Sequence, residues 1–119
     1  MPSCNYCGEP ADTKDHVIPH TVLTGAQRRG GHHDLGETVP CCRECNHLLG
    51  SKVFPSMEDR CHYVAGALRR RYSKLINAPA WTADELAELG PGLRASILAD
   101  ASRRNVVRRR IATALDGAK

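Results

Sequence analysis

The chain is poor in aromatic residues and in long apolar runs, and each shortage closes off a class of function. Phe, Trp and Tyr together make up 4% of its 119 residues, and with so few rings nothing points to base-specific readout of a nucleic acid. No stretch approaches the roughly 20 consecutive apolar residues of a membrane-spanning helix, and Met1-Pro2-Ser3-Cys4 lacks the charged-then-apolar layout of a signal peptide. The expectation is a soluble, cytoplasmic protein with no membrane partner. Internal repeats and low-complexity segments are absent too. The length suits one domain with a modest core and is too short for two independent ones.

Cysteine, by contrast, is plentiful: six residues, four of them in two C-x-x-C knuckles, Cys4/Cys7 and Cys42/Cys45. Without an export signal, paired spacing favours thiolates on a metal over a disulfide framework. Together the knuckles fill all four positions of a tetrahedral zinc, leaving none for water or substrate, so the zinc would be structural. It would hold the loop before a first strand against the start of a helix, in a head with few large apolar side chains. Cys41 and Cys61 remain and read as small buried hydrophobes, although Cys41, next to Cys42, is also a candidate to exchange as a ligand.

The formal charge of +4 is unevenly spread. Residues 1–55 carry five Lys/Arg against six Asp/Glu, and residues 56–119 carry twelve against seven. A zinc on four thiolates makes the head more negative still, so any grip on a polyanion must come from the tail. Its cations cluster at Arg69, Arg70, Arg71 and Lys74, then at Arg103, Arg104, Arg108, Arg109 and Arg110. Solvated helix faces would explain them; two basic clusters attached to an acidic head suit the tracking of a nucleic-acid backbone better. Lys52 and His47 are further candidates for phosphate contact.

Local patterning gives an α+β organisation. Residues 13–18 and 37–40 read as two short strands paired as a hairpin, joined by a Gly-rich loop, His20 through Gly36, longer than compact domains usually carry. A helical turn follows from Asn46. Then Met57, Cys61, Val64, Ala65, Leu68, Tyr72, Leu75 and Ile76 recur at steps of three and four, which predicts a helix of about 20 residues with one apolar stripe. Ser56 with Asp59, and Thr82 with Glu85, resemble capping boxes. The short second helix closes at Gly90-Pro91, and a last one should run from about Leu93 to Leu115 with Ile97, Ala101, Val107, Ile111 and Leu115 inward. Trp81 and Tyr72 are expected in the core. Residues 1–55 would form the zinc module and residues 56–119 a helical basic extension packed on it as one compact unit.

Asp15, His16 and Asn46 are side chains the zinc does not use. Asn46 follows the last cysteine and is pinned near the helix N-terminus, where it would serve equally as a cap. The strand carrying Asp15-His16 is tethered to the same zinc through Cys7. A carboxylate and an amide oxygen are hard ligands suited to magnesium or manganese, and an imidazole can take a proton from water near neutral pH. On a regular strand, however, neighbouring side chains face opposite sides, so Asp15 and His16 share one site only if the strand twists or bulges. His20, His32, His33 and His47 read as loop or surface residues.

The series C-x-x-C, D-H-V-I-P and V-P-C-C-R-E-C-N, over roughly residues 4 to 53, resembles the zinc-bearing branch of the HNH endonucleases, the ββα-metal nucleases found among phage junction-resolving and CRISPR-associated proteins. The resemblance implies a zinc-stabilised ββα-metal module that hydrolyses DNA phosphodiester bonds. Asp15 and Asn46 would hold one Mg or Mn ion on the scissile phosphate, with His16 as general base. The family's middle Asn would fall on Glu37, or on Asp34 if the loop shifts. A non-catalytic zinc-dependent nucleic-acid-binding adaptor is the competing expectation, and a phage nuclease active only beside packaging or recombination proteins is a third.

Overall fold

A computed structural model describes residues 2–17 and 38–119. The expected long loop, with His20, His32, His33, Asp34 and Glu37, lies outside the described residues. Those described form strands β1 (Thr13–His16) and β2 (Thr38–Cys41) and helices α1 (Arg43–Leu49), α2 (Met57–Arg71), α3 (Ser73–Ile76), α4 (Ala83–Ala87) and α5 (Pro91–Gly117). The architecture is therefore mixed α+β, with a two-stranded antiparallel sheet and a long C-terminal helix.

Two four-residue strands cannot hold each other in water, and the chain braces them from both sides. The register sets Asp15 opposite Val39 and His16 opposite Thr38. Below the sheet, the first knuckle folds back on itself: the Cys4 amide donates to the Glu9 carbonyl at 2.6 Å and the Gly8 amide to the Cys4 carbonyl at 3.0 Å. Gly8 takes φ +81°, a conformation side-chained residues rarely adopt, so the turn after Cys7 needs glycine. The Asn5 amide then donates to the Pro40 carbonyl at 2.9 Å, docking the knuckle onto β2.

Helix α1 starts one residue after β2, with Cys42 as its N-cap: the Cys45 amide donates to the Cys42 sulfur. This corrects the expected start at Asn46, and it corrects the cap as well. A cysteine sulfur does here what Ser or Asp ordinarily does. The expected 20-residue helix breaks at Tyr72 (φ −107°, ψ 21°) into α2 and α3, though the apolar stripe runs through the break, since Leu75 and Ile76 pack on the core. Thr82 and Glu85 form the full reciprocal capping box, while at Ser56 the side chain accepts the Asp59 amide. Helix α5 begins with Pro91 at its first turn, where a missing N–H removes nothing, slightly ahead of the expected Leu93.

Helices α2 and α5 pack antiparallel. Near one end, a Cβ on Gly117 would lie 2.9 Å from the Cys61 sulfur; at the other, Arg104 Nε donates to the Leu75 carbonyl at 2.8 Å. Between them Val64, Ala65 and Leu68 meet Val107, Ile111 and Ala114, all buried, in one cluster with Tyr6, Leu49 and the cysteines. Cys41 and Cys61 are buried as expected. Trp81 is not: it is 44% exposed, with Leu93 and Leu98 exposed in the same part of the chain. The cause is length: α3 ends beside Arg104, and the first turns of α5 meet only the five-residue α4 and its flanks, to which Arg94 donates at the Leu86 and Leu89 carbonyls. No helix among the described residues is long and apolar enough to cross a membrane.

Candidate metal centre and nucleic-acid face

Cys4, Cys7, Cys42 and Cys45 converge, their sulfurs all within 4.8 Å of one another. Four sulfurs at about 2.3 Å from a tetrahedral zinc stand roughly 3.8 Å apart along each edge, and Cys7 Sγ lies 3.7 Å from Cys42 Sγ. None of the six cysteines is in a disulfide. Such a cluster can hold one metal ion such as zinc. Without a shared cation the thiols set one another's proton affinities apart: Cys4 is driven far down by bonds from Cys41, Cys42, Cys45 and Cys7, while the same contact with Cys4 drives Cys45 up. A dication relieves that conflict by letting all four carry charge.

Around this cage lies a polar network absent from the sequence expectations. Arg110 on α5, 7% exposed, sets Nη2 3.9 Å from both Cys42 Sγ and Cys45 Sγ. Its Nη1 is 2.6 Å from Glu44 Oε1. Glu44 Oε2 in turn accepts the Tyr72 hydroxyl at 2.5 Å and faces Arg71 Nε at 3.4 Å. Burial opposes charge on Glu44, but Tyr72 and Arg110 outweigh it and hold the carboxyl below its ordinary range. Arg110 is therefore corrected from a phosphate contact to a buried neighbour of the Cys42 and Cys45 sulfurs.

Asp15 is placed differently from the ligand role that the resemblance implies. It is 2% exposed, and its Oδ2 takes Arg60 Nη2 at 2.6 Å and the Tyr6 hydroxyl. Arg60 is equally buried, donates Nε to the Tyr6 oxygen at 3.1 Å and Nη1 to the Val17 carbonyl at 3.1 Å, and lies over the Phe54 ring. Burial works against the guanidinium's charge; Tyr6 and Asp15 more than restore it. With this partner the carboxylate fits a hard divalent ion in kind but not in placement. His16, the next residue, is half-buried at the end of β1, on the opposite side by strand alternation. Asn46 is half-buried on α1, which packs against β1, and its backbone is already helical, its amide donating to the Cys42 carbonyl at 3.0 Å.

No family model matches the chain, and neither the curated proteins nor the solved structures contain a match.

The expected basic face survives in part. Arg69, Arg70 and Lys74 are exposed and hold no ion pair among the described residues. Arg71, Arg103 and Arg109 are exposed but paired, with Glu44, Asp100 and Glu9, contacts weak enough at a surface to be exchanged for phosphate. Arg104 and Arg108 donate to the Leu75 and Ile76 carbonyls and so cap α3. Lys52 stands 5.4 Å from the Tyr63 ring centre. Arg60 and Arg110 share one legible signal: each falls in step with an apolar stripe, Met57-Arg60-Val64 and Val107-Arg110-Ala114, where a charge needs a buried partner.

Proposed function

We propose that this chain is a zinc-stabilised, metal-dependent DNA endonuclease of the ββα-metal type, with His16 as general base. The observation that carries it is the direct succession of hairpin and helix around the four-cysteine cage, with His16 ending β1 and Asn46 immediately following the last cage cysteine. In this reading the zinc is structural, because four thiolates leave no open position. Asn46 offers an amide oxygen to a Mg or Mn ion. Asp15 offers its carboxylate only by leaving Arg60, so no step is drawn through the ion. When bound, such an ion stabilises charge on the phosphate and on the departing oxygen.

What the chain itself supplies is a half-buried imidazole to take the proton of an attacking water, and a ridge of cations to hold the substrate. Arg69, Arg70 and Lys74 would make phosphate contacts without sequence preference. Supercoiled-plasmid nicking in Mg or Mn is the test, with His16→Ala expected to retain zinc and DNA binding while the rate drops by about 10²–10⁴-fold. Equal nicking by the variant removes His16 from the reaction.

The Asp15–Arg60 pair favours one other reading, a zinc-dependent nucleic-acid-binding adaptor without catalysis. It becomes the better account if wild-type protein, loaded with zinc and tested with both ions, binds DNA and never nicks it. Activity that appears only when packaging or recombination proteins are added would instead support the partner-dependent nuclease.

A further inference from the structure

We infer that Arg110 is an outer-sphere ligand of the zinc cage, a positioning residue that neutralises part of its charge, slows release of the metal and locks α5 to the metal state of the head. Four thiolates around a dication carry a net charge of about −2, which a largely buried site must offset. The cation that does so comes from the far end of the sequence. Arg110 presents Nη2 equally to Cys42 and Cys45, 3.9 Å from each sulfur. These are the two cage residues carried by α1. Cys42 is also the one cage cysteine that is not fully buried, so an incoming chelator or electrophile meets it first.

The guanidinium is held in place rather than free to swing. Glu44, between the two cysteines on α1, takes Nη1 at 2.6 Å and is itself fixed by Tyr72. The Arg110 Nε is buried with no hydrogen-bond partner among the described residues, so the guanidinium is anchored through its two terminal nitrogens. Hydrogen bonds from a cation draw electron density from thiolate sulfur. The sulfurs then accept a proton or attack an electrophile less readily, and the metal leaves more slowly. The same contacts join the last turns of α5 to α1, so loss of the ion would leave the junction held by the Arg110–Glu44 pair without its sulfur contacts.

This rests on zinc occupancy of the cage and is independent of nuclease activity. Metal content is measured first on the purified full-length protein. Absence of stoichiometric zinc sinks the occupancy and the role of Arg110 with it. On loaded protein, zinc transfer to a chromogenic chelator is then followed for wild type, Arg110→Gln and Arg110→Lys, with the exposed Arg109→Gln as control. Transfer should be roughly 10- to 100-fold faster in Arg110→Gln, intermediate in Arg110→Lys and unchanged in Arg109→Gln. After cobalt substitution, the sulfur-to-metal charge-transfer band should move to lower energy in Arg110→Gln, because unneutralised sulfur gives up electrons more easily. A packing role alone would lower thermal stability and leave that band in place. Full zinc content with wild-type release rates, or faster release with an unmoved band, overturns the proposal. Should Arg110→Gln fail to fold, the band and rate of Arg110→Lys decide, and wild-type values there overturn it equally.

Discussion

The two ends of α5 live in different worlds. From Val107 onward the helix meets α2 along a buried seam and reaches the cysteine cage through Arg110, and every large apolar side chain is at least half covered. From Pro91 to about Leu98 the same helix shows Leu93 and Leu98 to solvent, with Trp81 also exposed before it. Charge divides the same way. Residues 79–100 carry four Asp/Glu against one Arg, whereas residues 101–119 carry six Lys/Arg against one Asp. The distal arm is therefore net acidic, and the last turns of α5 are net basic. The cage end is held by the apolar seam together with the buried Arg110 contacts, and at the open end helix propensity with capping carries more of the load.

The largest effect that sharpens this contrast is removal of the cage. Cys42→Ser with Cys45→Ser, or chelation strong enough to strip the metal, should unfold the hairpin and first knuckle, since structural zinc sites contribute on the order of 10 kcal/mol or more in small modules. Far-UV circular dichroism should keep a large share of its helical signal, most of which comes from α2 and α5, while dispersed amide resonances of β1 and β2 vanish. A hairpin that stays intact after losing stoichiometric metal contradicts the dependence.

Next comes the buried pair. Arg60→Met leaves the buried Asp15 carboxyl with the Tyr6 hydroxyl as its remaining side-chain partner among the described residues, and should lower unfolding free energy by about 3–5 kcal/mol. Asp15→Asn with Arg60→Met removes both charges, and should recover much of the loss in urea titration. If the double variant is as weak as the single, the pair is not what holds β1 to α2. Gly117→Ala is smaller in expectation. A methyl there meets the Cys61 sulfur, so about 1 kcal/mol or more of overpacking opposes any gain in helix propensity. The melting temperature should fall, and Cys61→Ala in the same chain should restore it.

These cases also mark what could be read from residue order. The knuckle spacing announced four converging thiolates, and the three-and-four periodicity announced the seam of α2 and α5, because both are local patterns repeated along the chain. Arg60 and Arg110 were harder. Each belongs to a run of basic or mixed residues, and composition groups them with the surface, yet each occupies a core position of its stripe. Their partners, Asp15 on a strand and two cysteine sulfurs at another helix, are far away in sequence, and only the packing of α2 and α5 against the head reveals them. Asp15 was legible as special and not as paired. Trp81 misled for the opposite reason: a large ring suggests a core, but the helix that would cover it ends too soon.

The smallest expected effect tests the arm itself. Trp81→Ala removes the largest side chain in the protein from a site that is 44% exposed, bordered by Leu86, Ile97 and Leu98. In a close-packed interior such a truncation lowers stability by about 3–5 kcal/mol, because the cavity cannot refill. Here water already reaches the ring, and its apolar neighbours Leu86, Ile97 and Leu98 are themselves partly or largely exposed, so a change under about 1 kcal/mol is expected in urea titration, with zinc content unaltered. The helix start should tolerate it as well, since the Thr82–Glu85 capping box holds α4 through backbone contacts that do not involve the indole. A loss of several kcal/mol would mean that Trp81 is buried in solution by something that this chain alone does not supply, and the division between a matched end and an open end of α5 would no longer hold.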